Sequence, residues 1–242
     1  MNTCAFTIVA KNYIGLAMIL GKSLAKHNPD IDFKIVVADE IEGEVENLPD
    51  NLIIAKKELG YSSDIWTNMS FKYNLTEFCT AIKPAAFIRL FKEEYTKVIY
   101  FDPDIFIFSD ISCILSALDK FDVVLTPQIA GIHVDYSGEH PEWAMNVNGI
   151  FNLGFCGMSR SDLSSKVLEW WRKRLLDNSF ADRSVGNFTD QKWMDWIPGF
   201  LGSEHLCVLN SLGMNMAPWN YFERKLFEES GKLFVSYRTD DN

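Results

Sequence analysis

The sequence predicts an α/β fold in which a mainly parallel central sheet is flanked by helices. The main observation is that short apolar runs of strand length alternate with amphipathic runs of helix length along residues 5–126. A second observation is that 48% of the 242 residues are hydrophobic. That share is enough for one large core, so we expect a single domain over residues 1–242.

The first half of the chain predicts strands separated by helices. Residues 5–10 (AFTIVA) are a short apolar run of buried-strand length. Asn12 could cap the helix that follows, in which apolar residues recur at helical spacing. Further strands are predicted at residues 33–37, 53–54, 97–101 and 123–126. Further helices are predicted at residues 82–94, with Pro84 in the first turn, and at residues 110–118.

The second half of the chain is less regular. Residues 128–146 are polar and aromatic, and a loop of this length is typical of a functional segment. Residues 147–158 (VNGIFNLGFCGM) predict a strand or hairpin whose three glycines allow close backbone approach. Two helices are predicted after it, at residues 162–177 and 190–198. Thr189 or Asp190 is the candidate cap of the second helix.

An Asp-Pro-Asp motif interrupts an apolar and aromatic run in the middle of the chain. In an extended segment Asp102 and Asp104 point to the same face, and Pro103 should end or bend the strand. Burying two like charges costs on the order of several kcal/mol for each charge unless the charges are neutralised, paired or bound to a cation. A divalent cation with hard oxygen ligands meets that requirement. The alternative is an exposed turn that closes a core strand, because Asp and Pro are ordinary turn residues.

Charge and cysteine content exclude several classes of protein. The formal net charge of −10 argues against sequence-independent binding to nucleic acid and against broad adhesion to anionic lipid. No apolar run predicts a transmembrane helix or a secretory signal, although local peripheral contact with a membrane stays open. The five cysteines are scattered without CxxC spacing, which favours reduced thiols and a cytoplasmic location.

Six segments occur in a recognisable order between about Thr7 and Tyr221. They read VAKNYIGLAMILGKSL, IKPAAFIRLF, VIYFDPDIFIF, NGIFNLGFCGM, TDQKWMD and MAPWNY. Together they resemble the GT-A glycosyltransferases, and within them most of all the retaining family-8 type and its bacterial relatives. The resemblance implies a GT-A (Rossmann-like nucleotide-diphospho-sugar transferase) fold. Residues 1–127 would then be the nucleotide-binding half and residues 128–242 the acceptor-side half.

The resemblance also implies a set of nucleotide and metal contacts. The residues expected to line the base and ribose are Ala10, Asn12 and Tyr13. Lys83 would approach the diphosphate, although it could instead be a solvated side chain at a helix start. Asp102 would contact the ribose or the metal, and Asp104 would be the firmer metal ligand. The implied cation is Mn²⁺ or Mg²⁺, which would neutralise the departing diphosphate.

A second implied set faces the sugars. Asn152 and the pair Asp190-Gln191 would face the donor sugar as the catalytic group, and Trp219-Asn220 would lie on the acceptor or diphosphate side. Asp190 or Gln191 would shield the sugar face opposite the acceptor in a retaining reaction. Return of the acceptor on the leaving-group face is equally consistent with the residues. Structural roles remain as alternatives: a bend for Asn152, a helix cap for Asp190, and core packing for Trp219.

The implied function is metal-dependent transfer of a sugar from a nucleotide-sugar, expected to be a UDP-sugar, to a saccharide or glycan acceptor with retention. The acceptor expected is a bacterial surface polysaccharide. Two departures from the family pattern weaken the inference. Ala10 or Lys11 stands where the family has an Asp that reads uracil, and no histidine follows His205 to complete the metal site. Either water replaces that ligand, or the chain is part of a longer protein with a further segment or fused domain.

Two other functions compete with this one. A sugar-1-phosphate nucleotidyltransferase shares the architecture, but it would need a glycine- and arginine-rich loop after the first strand, and AKNYIG is not such a loop. A non-catalytic module that binds nucleotide-sugars is made credible by the missing histidine. Metal-dependent turnover of nucleotide-sugars would separate an enzyme from a binding module.

Overall fold

The computed structural model describes residues 2–40 and 48–238. The strands are β1 (Thr3–Val9), β2 (Asp32–Val37), β3 (Leu52–Ile54), β4 (Lys97–Phe101), β5 (Val123–Leu125), β6 (Phe155–Ser159), β7 (Leu206–Val208), β8 (Arg224–Glu229) and β9 (Lys232–Tyr237). The helices are α1 (Ile14–His27), α2 (Ala55–Glu58), α3 (Ser63–Lys72), α4 (Leu75–Ala81), α5 (Lys83–Lys92), α6 (Ser112–Leu118), α7 (Glu142–Asn148), α8 (Asp162–Leu175) and α9 (Ile197–Leu201). None of the helices described has both the length and the hydropathy needed to span a bilayer.

Seven strands form one central sheet in the order β3-β2-β1-β4-β6-β5-β7. Neighbouring strands are parallel except at β6, which is antiparallel to both β4 and β5. The prediction of a mainly parallel sheet flanked by helices is therefore confirmed. Because β6 is reversed, its first residue lies at the same edge of the sheet as the last residues of β1, β4 and β5.

The centre of the sheet is apolar on both faces. Every residue of β1 and β4 is buried. Phe6 of β1 packs edge-on against Phe87 of α5 at 4.9 Å and against Tyr100 of β4 at 5.2 Å between ring centroids. Such aromatic pairs add about 0.5–1.5 kcal/mol beyond the burial of their area. This packing gives the end of β4 a rigid base.

Two of the predicted local structures in the first and middle parts of the chain are wrong. Asn12 does not cap a helix: it lies in a 3₁₀ turn, Lys11–Tyr13, and α1 begins at Ile14 without a side-chain cap. Residues 147–158 do not form one strand or hairpin, because only β6 is a strand and residues 142–148 are the helix α7. Since α7 also includes residues 142–146, the predicted loop at 128–146 is not wholly a loop.

The predicted helix at residues 190–198 is also different in the structure. A 3₁₀ turn covers Lys192–Trp196 and the helix α9 follows it. Neither Thr189 nor Asp190 caps a helix, because the 3₁₀ turn starts without a side-chain cap. The φ angle of Thr189 is 47°, in the left-handed region, and the carboxylate of Asp190 points to a lysine instead.

Candidate active site

Asp102 and Asp104 lie in a tight turn at the carboxyl edge of the sheet, directly after β4. The Asp102 N–H donates to the Gly154 carbonyl over 2.8 Å, and the Ile105 N–H donates to the Asp102 carbonyl over 3.1 Å. Asp102 is half-buried and Asp104 is exposed. The strand ends at Phe101, as the proline in the motif predicted.

The Asp102 carboxylate is held in place by its neighbours on both sides. The Tyr100 hydroxyl donates to its Oδ1 over 2.6 Å. A Cβ on Gly154 would lie 3.0 Å from Asp102 Oδ2 and 2.8 Å from Asn152 Oδ1. Both distances are shorter than an ordinary van der Waals contact, so any residue other than glycine would push these two oxygens away. The Asn152 oxygen also accepts the Gly154 N–H over 2.9 Å. The start of β6 thus brings an amide oxygen beside the carboxylate that ends β4.

The electrostatic environment of this turn favours a cation. Burial raises the pKa of Asp102 above its usual value, while the nearby Lys83 ammonium and the Tyr100 hydrogen bond act in the opposite direction. The carboxylates of Asp190 and Asp104 raise it further. A bound divalent cation would relieve this concentration of negative charge.

The donor set fits a hard cation that shares its coordination with a ligand. No cluster of three or more His, Cys, Asp or Glu side chains suited to a metal occurs within residues 2–40 and 48–238. The protein therefore offers two carboxylates and a nearby amide oxygen, which suit Mg²⁺ or Mn²⁺ with phosphate or water oxygens in the remaining positions. Asn215 lines the same cavity, and its buried Nδ2 finds no hydrogen-bond partner among the described residues.

A buried ion pair lies beneath the turn. Lys83 Nζ is 2.5 Å from Asp190 Oδ2, and only 1% and 2% of the two side chains are exposed. The ammonium also donates to the Leu153 carbonyl over 2.9 Å and lies 4.0 Å from the centroid of the Tyr100 ring. The structure thus places both residues in the floor of the site, where they connect α5, β4 and the segment before β6.

Gln191 connects the same segment to α7. Its Oε1 accepts the Leu153 N–H over 3.1 Å, and its Nε2 donates to the Asn148 carbonyl over 3.1 Å. Gln191 follows Asp190 directly, and Asp190 is linked to the same turn through Lys83, which donates to the Leu153 carbonyl. Asn152, Asp190 and Gln191 are therefore brought together as a group around the start of β6.

Two cavities meet above these residues. The first, here the carboxylate cavity, has a volume of about 420 Å³ and is lined among others by Asp102, Asp104, Asn152, Gly154, Asn215 and Trp219. The second, here the aromatic cavity, has a volume of about 370 Å³ and is lined by Gln128, His140, Pro141, Trp143, Ala144, Met145, Asn148, Asn152, Arg183, Phe188, Gln191 and Trp219. Asn152 and Trp219 line both. Trp219 is half-buried at this boundary, whereas Asn220 is buried and donates to the Gln128 and Asn215 carbonyls.

The predicted nucleotide-contacting residues lie beside the turn, after β1. Because β1 is the parallel neighbour of β4, Ala10, Asn12 and Tyr13 follow their strand at the same edge as Asp102. Ala10 is buried, while Asn12 and Tyr13 are exposed. The Lys11 N–H donates to the Asp39 carboxylate over 2.7 Å, which ties this segment to the end of β2.

Several residues of the site escaped the sequence prediction. Tyr100 precedes Asp102 by two positions on a strand, so its place on the same face could have been recognised from the pattern. Gly154 belongs to a quoted motif, but its contact with Asp102 depends on the reversed strand β6. Asn148 begins the same motif, although its place in the aromatic cavity was not predicted, whereas Arg183 carries no local signal because a distant segment brings it there.

Sequence comparison identifies the family. The model of glycosyl transferase family 8 matches residues 4–178, which is more than half of the chain. Among curated proteins, the chain is 23% identical over 238 residues to the uncharacterized protein YfnF of Bacillus subtilis, covering 97% of this chain and 78% of that protein. It is 24% identical over 247 residues to YfnD of the same organism, covering 97% and 75%.

Two solved structures that match the chain are both glycosyltransferases, and the first of them supports the fold. The apo form of mouse xyloside xylosyltransferase 1 matches with a TM-score of 0.50 at 14% identity, covering 86% of this chain and 85% of that one. The galactosyltransferase LgtC, in complex with donor and acceptor sugar analogs, matches with a TM-score of 0.44 at 16% identity, covering 85% and 73%. The chain therefore has the GT-A fold and belongs to glycosyl transferase family 8, which makes it a glycosyltransferase.

Proposed function

We propose that the chain transfers a sugar from a nucleotide-sugar, a UDP-sugar, to a saccharide acceptor with the help of Mn²⁺ or Mg²⁺. The observation that carries this proposal is the meeting of two cavities at Asn152 and Trp219. One cavity offers Asp102 and Asp104 to a cation and a diphosphate. The other offers aromatic and amide side chains to a sugar.

Charge supports the role of the carboxylate cavity. A nucleoside diphosphate is anionic, and a surface that carries two carboxylates repels it unless a cation lies between them. When bound there, the cation would neutralise the charge that develops on the departing diphosphate. Asn215 lines the same cavity, and its amide, which has no partner among the described residues, is a further donor that a phosphate oxygen could satisfy. Asp102 and Asp104 would hold the cation, and Asn152 would lie near it.

The buried pair has a supporting role in this proposal. Lys83 and Asp190 neutralise each other, so neither charge is free in this structure to contact a substrate. The Lys83 ammonium instead donates to the Leu153 carbonyl and lies 4.0 Å from the centroid of the Tyr100 ring. Leu153 follows Asn152 directly, and the Tyr100 hydroxyl donates to Asp102, so the pair would help to position both residues. A direct contact of Lys83 with a diphosphate would require the ion pair to open. Gln191 and Asn152 are the residues that we assign to the donor sugar.

The lining of the cavities favours retention of configuration. Among the described residues that line them, the only carboxylates are Asp102 and Asp104, and both are assigned to the cation. An inverting displacement usually relies on a side-chain base to deprotonate the acceptor. We therefore favour return of the acceptor on the leaving-group face, with the departing phosphate as the base. Amide oxygens of Asn152 and Gln191 would stabilise the oxocarbenium character of the sugar.

The test compares the protein with the variant Asp104→Ala over a panel of nucleotide-sugars. We expect turnover that depends on Mn²⁺ or Mg²⁺ and stops with a chelator, and a loss of about 100-fold in kcat/KM for the variant. Asp64→Ala, which removes an exposed carboxylate in the first turn of α3, is the matched control and should behave like the parent protein.

Two results would contradict the proposal. Nucleotide binding without turnover of any donor would identify a binding module instead of an enzyme for this substrate class. Full activity of Asp104→Ala in the presence of a chelator would exclude the metal site. The anomeric configuration of the product, read by NMR, tests retention separately.

A further inference from the structure

The aromatic cavity has an exposed rim and a buried floor. Trp143 is 64% exposed at the rim, next to His140 and Pro141, whereas Met145 and Gln191 are buried in the floor. A large exposed aromatic ring beside a cavity is a surface on which the apolar face of a sugar ring can stack. The floor lies beside Asn152, which also borders the carboxylate cavity.

Two residues that line this cavity each have a buried polar atom without a partner among the described residues. Trp219 Nε1 and Asn148 Oδ1 have no hydrogen-bond partner among the described residues, and both residues line the cavity. An unsatisfied buried donor or acceptor costs about 1–3 kcal/mol. A sugar hydroxyl both donates and accepts, so hydroxyl groups could satisfy one buried donor and one buried acceptor together. The pair therefore fits a polyhydroxylated ligand.

Arg183 adds a positive charge to the rim. Its guanidinium lies 5.4 Å from the centroid of the Phe188 ring and pairs with no carboxylate among residues 2–40 and 48–238. The adjacent Asp182 carboxylate instead accepts hydrogen bonds from the Ser184 N–H and hydroxyl. Among the described residues, no Asp or Glu lines this cavity. The chain has a net charge of −10, so a positively charged side chain beside an aromatic cavity wall stands out from the overall charge of the protein.

We propose that the acceptor is a saccharide with an anionic group, a carboxylate or a phosphate, that pairs with Arg183. A guanidinium forms paired hydrogen bonds with either group, and such bonds are stronger than those between neutral partners. The acceptor, not the donor, is assigned here because Arg183 is exposed and does not line the carboxylate cavity. This inference rests on the proposed function, since it places the acceptor beside the bound donor.

The experiment measures saccharide binding to the protein loaded with UDP and Mn²⁺. The probes are methyl β-glucuronide, glucose 6-phosphate and the neutral methyl β-glucoside. We expect both anionic probes to bind about tenfold more tightly than the neutral one, and the preference to disappear in Arg183→Gln. The ratio between the two anionic probes identifies carboxylate or phosphate as the preferred group.

The matched control is Arg174→Gln, since Arg174 also lies over an aromatic ring, Trp170 at 5.9 Å, but lies outside the aromatic cavity. This control should keep the preference for anionic probes. Equal binding of all three probes, no binding of any probe, or an unchanged preference in Arg183→Gln would each overturn the inference. If UDP itself does not bind in the presence of Mn²⁺, the proposed function has failed instead.

Discussion

The lack of a side chain at Gly154 allows two oxygen-bearing side chains to approach each other closely in the carboxylate cavity. Its missing Cβ leaves room for Asp102 Oδ2 and Asn152 Oδ1, which would lie 3.0 and 2.8 Å from such an atom. In Gly154→Ala at least one of these side chains must move, and overpacking of this kind costs about 1–3 kcal/mol. We expect metal-dependent turnover to fall by about tenfold or more while the protein stays folded.

The control for this substitution is Gly199→Ala, because no described residue apart from its chain neighbours and its own helix backbone lies within 4 Å of the Cβ that it adds. Turnover and thermal unfolding of the two variants are measured side by side. Equal turnover of Gly154→Ala and the parent protein would show that the close approach of the two oxygens has no functional role.

The residues of the site differ in how far the sequence predicts them. Asp102 and Asp104 could be placed at the end of a buried strand, because the apolar run and Pro103 define where that strand ends. The pairing of Lys83 with Asp190 could not, since it joins residues that are far apart in the chain and buried together. Local patterns contain no information about which distant charge a buried lysine meets.

At the scale of elements, the start of β8 ties together two loops beside the cavities. The Glu223 carboxylate accepts hydrogen bonds from the Ala130 and Gly131 N–H groups over 3.0 and 3.1 Å and from a His133 ring nitrogen over 2.9 Å. Its neighbour Arg224 donates to Glu223 and to the Leu212 and Met214 carbonyls. This buried junction holds residues 130–133 and 212–214 in one arrangement.

Replacing the buried carboxylate should weaken this junction. Removing one partner of a buried ion pair costs about 3–5 kcal/mol, so Glu223→Gln is expected to lose about 3 kcal/mol of unfolding free energy in urea titrations. Glu229→Gln, at the exposed end of the strand β8 that follows Glu223, should change stability by less than about 0.5 kcal/mol. Equal stability of the two variants would mean that Glu223 does not hold these loops.

The Glu223 carboxylate should also make the folding stability of the protein depend on pH. Burial alone would raise the pKa of Glu223, but hydrogen bonds from His133, the Ala130 N–H and Arg224 outweigh it and lower the pKa below its usual 4.5. The stabilisation is therefore complete above pH 4.5 and is lost as the pH falls through the folded-state pKa. Urea titrations from about pH 6 to about pH 3 should show a steeper decline for the parent protein than for Glu223→Gln.

Helices of the first half show what the sequence prediction overlooked. α4 begins with a capping box in which Asn74 and Glu77 satisfy each other's backbone N–H groups, and α3 begins with Ser62 as a side-chain cap. These signals are local and could have been recognised. The reversed strand β6 has no such signal, because nothing in FCGMS distinguishes a parallel from an antiparallel partner.

At the scale of the whole molecule, the proposed site predicts that a cation and a nucleotide stabilise the protein jointly. Because both would share the carboxylate cavity, UDP with Mn²⁺ should raise Tm by more than the sum of the two separate effects. A ligand at 100 times its Kd adds about 2.7 kcal/mol, which corresponds to about 5–10 °C for a chain of this size. Thermal unfolding with UDP, GDP and ADP measures the effect and the preference for the base.

Asp104→Ala should lose the contribution of Mn²⁺ and the joint effect with it. If Mn²⁺ does not change the shift caused by UDP, the two ligands do not share a site. A larger shift with GDP than with UDP would replace uracil by guanine in the proposed donor and leave the rest of the proposal unchanged.

The segment between β5 and β6 leaves the sheet and returns to it at the same edge. Its two ends are joined by backbone hydrogen bonds, Asn152 N–H to the Thr126 carbonyl and Gln128 N–H to the Ile150 carbonyl, both over 2.9 Å. The residues in between can therefore change in number without moving β4, β6 or the Asp102 turn. Doubling the length of such a loop costs only about 0.6 kcal/mol. Under the proposed function, insertions and deletions here would change the acceptor side of the site, while the strands and the carboxylate pair would stay as they are.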